Sequence, residues 1–322
     1  MKAVKIKGLV KKYWKNTVLN KIDLTIDQGD FFALLGHNGA GKTTAIWIMT
    51  DLVEKTSWKV EIFGVDIDED FVQAKRCIWV VPQEFNFSMW EKVKDIPVVQ
   101  AGYYWIKKSV AEKRTKKLLK KLELWEHRDK EAKDLSGWMK RRLMIARALV
   151  HKPKFLILDE PTAWVDVELR KTMWEFIKDL NKSGTTILLT THYLEEVEAL
   201  CNKVAIISKW KIVKDTSVKE LLSSLDEEVF ILDIVSGQKK TGQAQSIAPT
   251  ENNKSRGALY GYPELKNFKL EIISETEIEV TICKKHTLND LFEILNKNNI
   301  QISSMRNKVN RIEQLFMNLT KN

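Results

Sequence analysis

Glycine is scarce in this chain: 13 residues in 322, where an ordinary protein of this length has about 7%. Proline is scarcer still, with six, and there are three cysteines. Cys77, Cys201 and Cys283 stand far apart and form no CxxC pair. That excludes a disulfide framework and a thiolate metal knuckle, and leaves reduced structural thiols. Long apolar runs are missing too. The longest are of the size of Phe155-Leu156-Ile157-Leu158, far short of the ~18–20 residues that cross a bilayer. The opening residues, MKAVKIKGLVKKYWK, lack the continuous apolar core of a signal peptide. The expectation is a cytosolic chain, with any membrane role exercised through a partner.

What the chain has is charge and tryptophan. Lysine and arginine number 53 against 43 acidic residues, a net charge of +10, and there are 11 tryptophans. Hydrophobic residues at 44% and charged residues at 30% are ordinary for a globular protein. Eight Lys/Arg and one Glu crowd into Lys107 to Lys121. Such a run reads as a solvated helix face, or as a face near anionic lipid headgroups. No aromatic interleaving favours nucleic acid, and none is expected as a partner.

Hydrophobic periodicity divides the chain at about residue 225. Before it, residues 3–10 and 22–26 alternate, and Asp30 to Leu35, 78–81, Phe155 to Leu158 and Thr186 to Leu189 read as buried strands. A helix opens after Gly36, residues 86–150 read as mostly helical, and another helix spans 166–181. Strand–helix alternation of this kind predicts an α/β domain over 1–225 with a parallel sheet and a helical part at about 86–150. Val204 to Ser208 and Lys211 to Lys214 flank a two-residue turn at Lys209-Trp210. Beyond it, strands at 228–235, 269–273, 277–283 and 300–304 and helices at 287–297 and 310–319 predict a small α+β domain over 226–322. A polar segment at about 236–262 reads as a flexible insertion.

Two motifs carry chemistry. Gly36-His37-Asn38-Gly39-Ala40-Gly41-Lys42-Thr43 fits G-x-x-x-x-G-K-[ST], between a strand and a helix. Its glycines let backbone N–H groups close around phosphate oxygens, and the helix N-terminus adds partial positive charge. Lys42 is expected to reach β- and γ-phosphates, and the Thr43 hydroxyl, beside Thr44, to ligate Mg²⁺. The second motif is Phe155 to Glu160, an apolar strand that ends in two carboxylates. Asp159 is expected to hold the metal and Glu160 to act as general base on the attacking water.

With Leu135-Ser136-Gly137-Trp138, these motifs resemble the ATP-binding cassette (ABC) ATPases, and among them the ATP-binding subunit of an ABC-2-type exporter of the multidrug class. The resemblance covers essentially all of 1–225. It implies a P-loop NTPase fold with a RecA-like core and a helical subdomain, followed by the small C-terminal α+β domain. It implies ATP and Mg²⁺ as ligands. Tyr13 resembles the aromatic on which adenine stacks, a contact worth roughly 1–3 kcal/mol. Gln83 resembles the glutamine that touches Mg²⁺ and water, His192 the switch histidine at the γ-phosphate, and Asp166 the aspartate that couples two protomers. Leu135, Ser136, Gly137 and Trp138 resemble the signature, which works in trans on the nucleotide of a second cassette. A homodimer or pseudo-dimer, a separate transmembrane permease and a place on the inner face of the cell membrane follow. Two alternatives stand beside this: a soluble ABC ATPase of translation or DNA repair, and a degenerate nucleotide-binding regulator if Trp138 is genuine.

Trp138 departs from the family, which has glycine there. Trp47, Trp79, Trp105 and Trp164 also stand at family glycines, Trp58 and Trp210 at turn positions, and Trp14 fits less clearly. Trp125 and Trp174 match helix anchors, and Trp90 matches nothing. Reading the first eight as glycine brings both counts to ordinary values. A gene that uses UGA for glycine, written with UGA as tryptophan, would give such a chain.

Overall fold

The computed structural model describes residues 1–162, 167–224, 227–234, 268–274, 277–283, 286–297, 300–308 and 311–320. The expected insertion at about 236–262 lies outside them. The chain divides into two compact units, Met1–Val218 and Lys219–Asn322.

The first unit begins with two long strands, β1 (Lys2–Tyr13) and β2 (Asn16–Asp27), then β3 (Phe31–Leu35) and helix α1 (Lys42–Met49). β4 (Ser57–Ile62), β5 (Val65–Asp66), α2 (Phe71–Cys77) and β6 (Ile78–Val81) follow. Helices α3 (Asp95–Gly102), α4 (Lys108–Lys121) and α5 (Gly137–Leu149) come next. The unit is completed by β7 (Phe155–Asp159), α6 (Val167–Lys182), β8 (Thr186–Thr191), α7 (Leu194–Leu200), β9 (Lys203–Ser208) and β10 (Lys211–Ser217).

A six-stranded sheet of order β10-β9-β3-β8-β7-β6 forms its centre. β6, β7, β8, β3 and β9 run parallel, and β10 is antiparallel to β9. Every residue of β3, β7 and β8 is buried, which is why these strands read as unbroken apolar runs rather than alternating ones. The alternating segments near the N-terminus belong elsewhere. They form an antiparallel sheet of order β2-β1-β4-β5, with one face buried and one wet. One core cluster joins the two sheets through α1, with Ile6 and Ile22 on one side, Ile46 and Met49 on the helix, and Phe32 and Phe155 on the other.

Within 86–150, which the sequence reads as mostly helical, regular helix starts at Asp95, and residues 86–94 take an irregular course. α4 buries Ala111, Thr115 and Leu119, one stripe at i, i+4, i+8. Its lysines face solvent. Ala101, Ala111 and Val150 form the small core of these helices.

After α8 (Val218–Ser223), the second unit holds β11 (Glu227–Ile234), β12 (Lys269–Ile272), β13 (Glu277–Cys283), α9 (Leu288–Lys297), β14 (Ile302–Asn307) and α10 (Arg311–Thr320). Its antiparallel sheet has the order β12-β13-β11-β14. Ile278, Val280 and Ile282 point inward along β13 and meet Leu291 and Leu295 of α9. Thr287 and Asp290 cap α9 reciprocally, with backbone-to-side-chain bonds of 2.7 and 3.2 Å, a capping box with aspartate in the usual glutamate place.

Candidate active site

The site lies where three parallel strands end side by side. Leu35 of β3 pairs with Thr191 of β8, and Asp159 of β7 pairs with Thr190. The loop after β3, the carboxylates after β7 and the histidine after β8 therefore leave the sheet together.

Gly36 is glycine because nothing larger fits: a Cβ there would lie 2.6 Å from the Ile207 carbonyl oxygen. Gly41 is doubly constrained. Its φ is +108°, and a Cβ would meet the Val18 carbonyl oxygen at 2.7 Å. The loop thus turns into α1 with its backbone bare. His37, Asn38 and Gly39 are exposed, while Ala40 is buried. Lys42 Nζ donates to the carbonyls of Gly36 (2.6 Å) and His37 (3.2 Å). Burial pushes the Lys42 ammonium below its ordinary pKa, and Glu160 and Asp159 oppose that shift. Thr43 and Thr44 are half-buried on the first turn of α1.

Asp159 is buried and accepts a hydrogen bond from the Thr190 hydroxyl. Desolvation raises its pKa, with Glu160 adding to the effect; Thr190, Lys42 and Arg141 pull it down. A carboxylate in this state gains from a cation. Among the described residues no three His, Cys, Asp or Glu groups gather as a metal cage.

Glu160 has φ of +47°, uncommon for a residue with a side chain and found at functional positions. Its N–H donates to the Thr190 carbonyl at 3.0 Å. Its carboxylate is bracketed: His192 Nδ1 lies 3.3 Å from Oε1, and Gln83 Nε2 donates to Oε2 at 3.5 Å. Catalytic hydrogen bonds without ligand are often this long and tighten around the substrate.

Lys42, Asp159, Glu160, Gln83 and His192 are thus gathered at one place. Tyr13 ends β1, 40% exposed, with Lys11 Nζ 4.7 Å from its ring centre. Leu135 is buried, and Ser136 is the exposed N-cap of α5, accepting from Met139 N–H at 3.2 Å. Gly137 and Trp138 form the first turn of that helix. The Trp138 indole N–H is buried without a partner. Asp166 and Trp164 lie outside the described residues.

Several supporting residues escaped the sequence reading. Thr190 orients Asp159. Glu196, fully buried on α7, accepts from the Thr162 hydroxyl and from Trp174 Nε1 at 3.4 Å. Burial raises its pKa. Arg141 donates to the carbonyls of Pro82 and Gln83, at 2.6 Å each. The neighbouring Glu195 and Glu198 of α7 hid Glu196; a basic run hid Arg141.

Residues 19–163 match the family model described as ABC transporter. The chain is 30% identical to the linearmycin resistance ATP-binding protein LnrL of Bacillus subtilis over 316 residues, 97% of this chain and 96% of that protein. It is 36% identical to the Nod factor export ATP-binding protein I of Cupriavidus pinatubonensis over 225 residues, 69% of this chain and 68% of the other. An ATP-binding subunit of an ABC transporter shares the fold with a TM-score of 0.64 at 24% identity, covering 69% of this chain and 92% of that one. The ATP-binding cassette MJ0796, a dimer with ADP and phosphate, shares it with a TM-score of 0.61 at 24% identity, covering 67% and 98%. Near-complete coverage by a relative of this identity settles the family: the chain belongs to the ABC transporter ATP-binding proteins.

Proposed function

We propose that this chain is the ATP-hydrolysing subunit of an exporter, working as a pair of cassettes on a separate transmembrane permease. The observation that carries the reading is the bracketing of Glu160 by Gln83 and His192, next to Lys42 and Asp159. ATP lies with its phosphates on the loop from Gly36 to Thr43 and its base on Tyr13. Lys42 exchanges the carbonyls of Gly36 and His37 for phosphate oxygens, which offsets the cost of its burial. Thr43, Asp159 and Gln83 would hold Mg²⁺, which would supply neutralisation of the phosphate charge. Glu160 takes a proton from the attacking water, Gln83 and His192 orient that water and the γ-phosphate, and Asp159 stays ionised beside the cation. Ser136 and Gly137 of one copy cap the nucleotide of the other, with Asp166 coupling the two copies.

The names of both relatives point to export or resistance, which supports this reading over a role in translation or DNA repair. No described helix is long and apolar enough to cross a membrane, so the cargo path belongs to the permease, and the cassette sits on it at the inner face of the membrane. The test is ATP hydrolysis by the purified chain carrying Trp138→Gly, alone and with the candidate permease in vesicles. Hydrolysis lost in Glu160→Gln and stimulated by the permease is the expected result; turnover unchanged by Glu160→Gln would overturn it.

A further inference from the structure

Between β6 and α3 the chain has no regular structure through Pro82 to Phe87, so its carbonyls need partners from outside a ladder. One helix supplies them. Arg141 of α5 donates through both Nη atoms to the carbonyls of Pro82 and Gln83, at 2.6 Å each. Arg147, six residues on, donates to the carbonyl of Asn86 at 2.8 Å. The Arg141 guanidinium also lies over the Phe85 ring, 5.4 Å from its centre. Arg141 is only 6% exposed. No carboxylate lies within ion-pair distance of it among the described residues, so the carbonyl fork, with the charge of Asp159 farther off, compensates its burial.

We infer that Arg141 is a positioning residue that ties the Gln83 segment to helix α5. The two ends of that tie have different business. Gln83 reaches Glu160 within its own subunit, while the N-terminus of α5 carries Ser136 and faces outward. A shift of α5 on engaging a nucleotide would then move Gln83 relative to Glu160. This rests on the proposed function above. A lysine cannot reproduce the planar two-pronged contact, so Arg141→Lys and Arg141→Met both unlock the segment. The experiment compares them in a parent carrying Trp138→Gly. The expected result is a kcat at least roughly tenfold lower, with the KM for ATP within twofold and a Hill coefficient reduced towards one. A parental kcat in both variants, or KM and kcat lost together with Tm, would overturn the inference. A parent that hydrolyses no ATP refutes the proposed function instead.

A separate observation concerns the tryptophans. Eleven described residues other than glycine have positive φ, and four are tryptophan: Trp14 (+54°), Trp58 (+80°), Trp105 (+56°) and Trp210 (+65°). Trp58 and Trp210 have the two largest values of the eleven. Lys209 and Trp210 are both positive in a two-residue hairpin turn, the I′ pattern that takes glycine at its second position. Trp14 opens the two-residue turn between β1 and β2, where a II′ turn takes glycine first. These indoles also bury little: Trp14 is fully exposed and Trp105 91% exposed. By contrast, Trp125 lies under Lys116 and Arg128, and Trp174 bonds to Glu196.

The geometry points to glycine at positions 14, 58, 105 and 210 of the protein made in its own cell, through a UGA codon read as glycine. Trp47, Trp79 and Trp138 have ordinary backbone in α1, β6 and α5, and Trp164 lies outside the described residues; they follow from the codon alone. Peptide mass spectrometry of the native protein is expected to give glycine at these four positions. Tryptophan there, or UGG codons in the gene, would overturn it. In the chain made as written, Trp58→Gly and Trp210→Gly are each expected to raise Tm while Trp125→Gly lowers it; a fall in Tm for both of the first two would count against the assignment.

Discussion

At the residue scale, Glu160 and Lys42 separate binding from chemistry. Glu160 touches Gln83 and His192, and among the described residues it has no hydrogen bond or ion pair with the phosphate loop. Glu160→Gln should therefore keep nucleotide affinity and lose at least about 10²-fold in hydrolysis, the usual scale of a general base; single-turnover ATPase assays beside equilibrium nucleotide binding check both halves. Lys42→Ala should do the opposite and abolish binding, as read by titration with a fluorescent ATP analogue. The fold should survive it, because the substitution removes a buried cation whose ionised form burial already disfavours.

At the element scale, α5 and its C-terminal end hold the helical part to the sheet. His151, just beyond α5, stacks on Tyr104 with ring centres 3.9 Å apart and an interplanar angle of 9°. Trp79 of β6 meets the same histidine edge-on at 5.1 Å. Neither ring nitrogen has a hydrogen-bond partner. Burial, with Arg114 adding to it, lowers the pKa of His151 from 6.5 to about 4, while burial raises Tyr104 to about 12. The folded protein thus holds His151 neutral over a range in which the unfolded chain protonates it. Its contribution is complete above pH 6.5 and is lost as pH falls towards 4, with a slope of up to about 1.4 kcal/mol per pH unit. His151→Phe keeps the stack and removes the titration. Urea unfolding at pH 7 and pH 4.5 should show a smaller loss of stability in that variant than in the parent.

At the scale of the whole molecule, the proposed pair of cassettes leaves one chain with only half of each working site. Its loop and carboxylates are complete, but Ser136 at the N-terminus of α5 has no described contact with the Lys42–Glu160 cluster. Two copies facing each other would supply what one lacks. Glu160→Gln with glycine at 138 should dimerise on adding ATP and stay monomeric with ADP, as measured by analytical ultracentrifugation. An indole at 138 should prevent that dimer by placing bulk where backbone must approach phosphate. The second unit has its own core around Val280 and Leu291. We expect a chain ending after Ser224 to keep its ATP affinity, because every cis nucleotide residue lies before position 193; isothermal titration checks this.

Much of this was legible in the sequence because it is local. A phosphate loop is specified by eight consecutive residues, since its backbone demands are met within one turn. Buried strands ending in Asp159 and Glu160 announce themselves by composition, and the turn at Lys209-Trp210 falls where the alternation on either side places it. The irregular course of 86–94 was not legible, because its competing hydrogen bonds come from far along the chain: Arg147 at the Asn86 carbonyl and the backbone of residues 128–133 along Met89 to Lys94.

The sequence by itself determined the strands, the phosphate loop, the pair of carboxylates and the family, all of which depend on neighbours along the chain. Only the tertiary structure decided that Gln83 and His192 bracket Glu160, that Arg141 grips the carbonyls of Pro82 and Gln83, and that four tryptophans carry a left-handed backbone. Those are contacts and angles set by the order of strands in the sheet and by packing between distant segments. No window of sequence contains the bracket, because Gln83, Glu160 and His192 meet only once β6, β7 and β8 lie side by side.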